Sequence, residues 1–305
     1  MPSIVSGLVP VAGAIALGWV LRRTGLVPAA LWPAITRLSY QALLPALLFV
    51  TIAGTGYAGL PVGAFLGALT TAFLAMAGVS FAAAKVARAD GPTLTSVFQG
   101  GLRINGFVVL ALAQAVFSPE GVALVALMFG VMVPLVNVLC VWVLAVHGRS
   151  DAAPAPRAVA QRIVTNPLIV GCVAGLMAAA LPVPPPEPFM ETAALVGRAA
   201  LPLILLSVGA DLDFSAVARA PQLLALCVGL KLVAAPLVFW SCAVPFGAEG
   251  AALTALMAIG AAPCAASAYV LAREMGGDAA LMGGHVTVST VLAFAALPFW
   301  ISLAT

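Results

Sequence analysis

Residues 66–79 read Leu66-Gly67-Ala68-Leu69-Thr70-Thr71-Ala72-Phe73-Leu74-Ala75-Met76-Ala77-Gly78-Val79. The stretch carries no charge, is rich in Ala, Leu and Gly, and lacks the strict alternation of a transmembrane strand. It sits in an apolar run over 61–84, longer than the roughly 20 residues a helix needs to cross a bilayer. Nine more runs of this kind follow from the sequence, about 3–21, 30–52, 93–117, 121–146, 162–181, 188–209, 221–244, 249–272 and 279–303. The expected fold is an all-α integral membrane protein of ten helices.

Composition points the same way. Of 305 residues, 63% are hydrophobic and 8% charged, where a soluble domain carries about 25% charged. With a mean hydropathy of +1.17, too little polar surface remains to cover a water-soluble globule. A soluble enzyme and a nucleic-acid binder are excluded, and the net charge of +3 implies no polyanionic partner. The lipid bilayer is the expected surrounding, with no nucleic acid; a homodimer is compatible with the sequence. Cys140, Cys172, Cys227, Cys242 and Cys264 all fall inside the runs without a CxxC pair, which speaks against a disulfide or zinc framework.

The first run is followed, not preceded, by its charges Arg22 and Arg23, so it reads as a span rather than a signal peptide. Arg22, Arg23, Arg37, Lys85, Arg88, Arg149, Arg157, Arg162, Arg219 and Arg273 fall on one side of the membrane. The connections on the other side hold only acids, Glu120, Glu187, Glu191 and Glu249. The positive-inside rule makes the first side cytoplasmic, which puts both termini of a ten-span chain outside.

The chain also resembles itself at an offset of 157 residues. Pro10 meets Pro167, Gly18 meets Gly175, Leu44-Pro45 meets Leu201-Pro202, and Ala123-Leu124 meets Ala280-Leu281. Five spans per half is an odd number, so the second half enters the membrane upside down. The expected organisation is a first five-helix repeat over 1–147, a cytoplasmic linker over 148–161 and an inverted repeat over 162–305. Inverted repeats with interrupted helices are an architecture of secondary transporters.

The fourth span of each half carries the interruption. Arg103-Ile104-Asn105-Gly106-Phe107 sets a charge, an amide and a glycine at mid-depth, and the offset places Asn105-Gly106 against Ala262-Pro263. Proline has no N–H to donate and its ring crowds the carbonyl one turn earlier. Irregular backbone at this depth survives only when buried in protein or lining a wet cavity. The expected substrate site comprises Arg103, Asn105, Gly106, Asn137, Ala262, Pro263, Cys264 and Ser267. Arg103, Arg198 and Lys231 lie about ten residues into their spans, and no Asp or Glu is found at comparable depth. Unpaired cations beside broken helices suit an anion. Lys231, Arg198, His285, Gln99 and Pro45 are candidates for coupling or gating, and Gln114 and Tyr269 for lining the path.

An intramembrane enzyme fits less well. Paired aspartates within spans are missing, His285 is the only histidine in a span, and no carboxylate is placed to orient it. A channel fits less well than a carrier because broken inverted repeats favour alternating access.

Leu43-Leu44-Pro45-Ala46-Leu47-Leu48-Phe49, Arg103-Ile104-Asn105-Gly106-Phe107, Pro134-Leu135-Val136-Asn137-Val138 and Pro263-Cys264-Ala265-Ala266-Ser267-Ala268-Tyr269-Val270-Leu271-Ala272 resemble motifs of the auxin efflux carrier family. The bacterial members are more similar than the plant ones, whose long central loop is absent. The resemblance implies crossing broken helices, as in bile acid/sodium symporter relatives, and transport of small organic anions such as malate, malonate or auxin-like acids. It maps the substrate site to Asn105-Gly106 and Ala262-Pro263. Cys264 stands where the motif often has Thr, and His285 where the family is usually apolar. No cofactor is expected. Monoanion export from a negative cytoplasm is downhill by about 2.3 kcal/mol per charge at 100 mV, so coupling is not required. Sodium held by backbone carbonyls, or a proton carried through His285, stays open as the alternative.

Overall fold

The computed structural model describes residues 2–57, 59–149, 157, 161, 163–218 and 220–304. Most of the expected linker 148–161 lies outside the described residues, as do Arg162, Arg219 and Thr305. Among the described residues every regular element is helical. They are α1 (Pro2–Arg23), α2 (Trp32–Leu38), α3 (Leu44–Ala53), α4 (Val62–Val86), α5 (Gly91–Leu102), α6 (Gly106–Val116) and α7 (Pro119–His147), followed by α8 (Pro167–Ala180), α9 (Glu187–Arg198), α10 (Ala200–Ala210), α11 (Pro221–Gly229), α12 (Ala235–Ala243), α13 (Gly250–Gly260), α14 (Ser267–Glu274) and α15 (Ala279–Ser302), with short 3-10 and π segments between some of them.

Eight continuous or joined helices among these residues are long and apolar enough to cross a membrane. The chain is a multi-pass membrane protein. The remaining two expected spans are shorter. The run at 162–181 is a 14-residue helix, capped by the Asn166 side chain and opened by Pro167; at 1.5 Å per residue it reaches about 21 Å, less than the hydrocarbon thickness. The run at 249–272 splits into α13 and α14, since Pro263 cannot continue the ladder.

Proline also shapes two helices that stay continuous. Pro45 and Pro236 each stand just after a π-helical segment, Ser39–Leu43 and Leu230–Ala234. A proline at position 236 leaves the Leu232 carbonyl without its partner one turn on. The indole N–H of Trp300 donates to that carbonyl at 2.8 Å, tying α15 to the distorted helix.

The helices pack in two groups. One holds α1, α3, α8, α9 and α10, with α1 lying on α10 and α3 on α8 and α9; the other holds α4 to α7 and α11 to α15. Small residues let backbones approach. Gly18 of α1 touches the Leu206 backbone of α10, and a Cβ at Gly175 of α8 would stand 3.0 Å from the Phe49 carbonyl oxygen of α3. Within the second group, α5 is tied to the start of α15. Asp278 caps α15 through the Leu281 amide at 3.0 Å, and its carbonyl accepts from the Ser96 hydroxyl at 3.0 Å.

Candidate functional site

Arg103 ends α5 in extended backbone, and Asn105 opens α6 with its side-chain oxygen accepting from the Val108 amide at 3.4 Å. Three residues therefore interrupt the helix where a charge, an amide and a glycine were expected to break it. On the other side, α13 stops at Gly260 and α14 starts at Ser267. The two interruptions meet. The Asn105 amide donates to the Pro263 carbonyl at 2.7 Å, and the Cys264 amide donates to the Ser289 hydroxyl at 3.1 Å. Backbone groups freed by the interruptions are thus satisfied, one across the junction and one by α15, as low-dielectric surroundings demand.

A cavity of about 420 Å³ opens beside this junction. Arg103, Asn105, Gly106, Asn137 and Ser267 all line it. Ala262, Pro263 and Cys264 are brought to the same junction but lie behind the wall, fully buried. The Arg103 guanidinium is half-buried; its Nη2 donates to Asn137 Oδ1 at 3.0 Å and to Ser267 Oγ at 3.3 Å. The Cys140 thiol lies beside it, and Nη1 is buried without a hydrogen-bond partner among the described residues. No carboxylate among them comes within ion-pair distance of Arg103. Neutral acceptors orient the cation while leaving its charge uncompensated, an arrangement suited to a carboxylate.

The cavity wall also holds groups that sequence reading passed over. Tyr40, from the π segment before Pro45, accepts from the Asn166 amide at 3.0 Å and faces the cavity with Ser207. Phe107 and Phe129 stack in the wall with ring centroids 5.6 Å apart. Asp211 and Glu274, at the ends of α10 and α14, complete the lining. Both carboxylates enter from helix ends rather than from mid-span, a position that depth counting along a span leaves out. Asp211 is exposed at the rim of the cavity, with protein around its carboxyl on the inner side. Partial desolvation there pushes its carboxyl up to about 6, against the opposing field of Arg22.

The coupling or gating candidates lie elsewhere. Lys231 and His285 are fully buried behind the second interruption, near Cys264 and near each other. His285 Nε2 stands 3.1 Å from the Gly100 carbonyl. A carbonyl only accepts, so this nitrogen carries the hydrogen and Nδ1 is left without a partner. Gln99 is fully buried with neither amide atom bonded among the described residues. Pro45 packs against Gly171 of α8. Tyr269 is exposed and carries Arg273 over its ring at 6.0 Å. Arg198 and Gln114 line a different cavity.

The Sodium Bile acid symporter family profile matches residues 199–305. That segment holds Lys231, the second interruption and His285, but not Arg103. No curated protein matches the chain. The match supports a membrane transporter of the bile acid/sodium symporter type, a class of carriers rather than enzymes.

Proposed function

We propose that the chain is a carrier for small organic carboxylates, binding them at Arg103 where the two interrupted helices meet. The observation that carries this reading is the cavity of about 420 Å³ beside the junction, with a guanidinium held by Asn137 and Ser267 and paired with no acid among the described residues. Asn105, Gly106, Ala265 and Ala266 line the cavity at the junction. The substrate carboxylate takes the place of solvent at Arg103, while the stacked Phe107 and Phe129 offer apolar contact to a carbon skeleton.

The architecture we infer is ten spans in two inverted repeats, residues 1–147 and 162–305, joined by a cytoplasmic linker over 148–161. Packing supports it. Gly18 meets Leu206 and Gly175 meets Phe49; each member of the first contact is 157 residues from a member of the second. The α1–α10 and α8–α3 contacts are therefore the same contact made twice, as a two-fold axis in the membrane plane requires. The two packing groups would slide or rock against each other, with the basic face cytoplasmic, both termini outside and the bacterial cytoplasmic membrane as the location. The auxin efflux carrier resemblance favours dicarboxylates or auxin-like acids.

Coupled symport is the second reading, favoured by the Sodium Bile acid symporter family match over residues 199–305, which contain Lys231 and His285. Counterflow of labelled malonate, malate and aryl acetates in proteoliposomes, with and without sodium and across pH, tests both. Anion counterflow is expected and should fall at least tenfold in Arg103→Ala, the order set by losing a hydrogen bond to a charged group. If Arg103→Ala and Asn105→Ala both leave counterflow intact, the site is wrong.

A further inference from the structure

A second cavity of about 550 Å³ lies between α1, α3, α6, α9 and α10. Shifted by 157 residues, five of its fifteen lining residues fall on the lining of the first. Val11 corresponds to Leu168, Leu47 to Ile204, Val50 to Ser207, Gln114 to Leu271 and Gly197 to Tyr40; the first of each pair lines the second cavity and the other lines the first. On the inferred repeat, the two cavities are partial counterparts on opposite sides of the membrane. Their polar groups differ. Where the first has Arg103 on the break itself, the second has Arg198, at the interruption between α9 and α10, and Gln114 opposite it.

Local chemistry explains Arg198's position. Pro202 removes the donor that would close onto the Arg198 carbonyl, and the chain turns at Ala199 between the two helices. Glu191 lines an adjoining groove with Arg198, but no ion pair forms between them among the described residues. A guanidinium at mid-span without an acid partner is costly unless it meets water, a carbonyl or an anion.

Resting on the proposed carrier function, we propose that this second cavity is the outer vestibule of the transport path, and that Arg198 with Gln114 captures the carboxylate there. It receives the same class of substrate as Arg103, a small organic carboxylate, on the acidic face of the membrane. Gln114 adds an amide donor to the guanidinium, and the surrounding α1 and α10 surfaces accept the carbon skeleton. When the helix groups move, the substrate passes between Arg198 and Arg103 along their shared interface.

The test uses the full-length protein in proteoliposomes, with Ala115→Cys reporting the second cavity and Val270→Cys the first; both positions are exposed and line their respective cavities. A membrane-impermeant methanethiosulfonate should modify Ala115→Cys from the acidic-face side only, and Val270→Cys from the opposite side. Malonate should slow both reactions. Arg198→Gln should raise the malonate concentration that protects Ala115→Cys by about tenfold or more, as expected for losing a charged hydrogen bond, while Arg198→Lys keeps part of the protection. Protection of Val270→Cys should be unchanged in Arg198→Gln. No modification of Ala115→Cys from the acidic side, or protection of it that ignores Arg198, overturns the vestibule while leaving the Arg103 site standing. If malonate, malate and phenylacetate protect neither cysteine, the carrier reading falls, and the vestibule with it.

Discussion

Arg103 is held at the cavity by one nitrogen that donates to both Asn137 and Ser267. A guanidinium serves here because its planar fork can satisfy two neutral acceptors and still present charge to a ligand; an ammonium keeps the charge and loses the fork. Arg103→Lys should therefore retain more malonate binding than Arg103→Ala, which should bind at least tenfold more weakly than the parent. Asn137→Leu should weaken binding about tenfold by freeing the guanidinium from its anchor. Combined with Arg103→Ala, it should add nothing further, since the two act through one group; isothermal titration of the four proteins reads this cycle. Asp211 gives a pH signature at the same scale. Its folded carboxyl titrates near 6 instead of the usual 3.8, so the folded protein holds a proton that the unfolded chain lacks between those values. Stability from this group rises as pH falls from 7 toward 4. Asp211→Asn should raise the melting temperature at pH 7.5 and leave it unchanged near pH 2.5, below both values, where the carboxyl is neutral in the folded and the unfolded chain alike.

At the scale of single helices, proline decides which carbonyls need outside partners. Pro263 ends a helix outright, and its own carbonyl finds the Asn105 amide. Pro236 stays inside a continuous helix by widening the turn before it, and the freed Leu232 carbonyl takes the Trp300 indole. Trp300→Phe should cost about 1–3 kcal/mol, the penalty of leaving a buried acceptor unpaired. Pro236→Ala restores an amide donor to the same carbonyl, so the double variant should recover part of that loss in thermal unfolding. The sequence carried both prolines in plain view, but only the one beside Arg103's partner stretch stood out as a break. A proline followed by ordinary apolar residues looks the same whether its helix bends, widens or stops. The outcome depends on whether some distant donor reaches the stranded carbonyl.

Across the whole molecule, the two glycine contacts Gly18–Leu206 and Gly175–Phe49 hold the first packing group together. Each leaves no room for a side chain, so Gly18→Val and Gly175→Val should each lower the melting temperature in detergent. If the contacts are repeats of one another, the two losses should be similar in size. The basic and acidic faces set a further expectation: a reporter fused after the last residue should report the side bearing Glu120, Glu187, Glu191 and Glu249.

Much of this was legible in the residues themselves. Apolar length and missing charge determine a membrane-embedded helical chain, because lipid offers the backbone no hydrogen bonds. The bias of Lys and Arg to one set of connections, the helix interruptions at 103–105 and 261–266, and Arg103 as a cavity group are likewise local, following from a proline, a glycine or a charge where it stands. Tertiary structure alone decided how those pieces combine. It joined Asn105 to Pro263, brought Asp211 and Glu274 from helix ends into the cavity wall, set Lys231, His285 and Gln99 behind the cavity, and opened a second cavity at Arg198. Each of these turns on contacts between residues far apart in the chain, and an apolar sequence with so few polar groups marks where a helix runs far better than which face it turns to its neighbours.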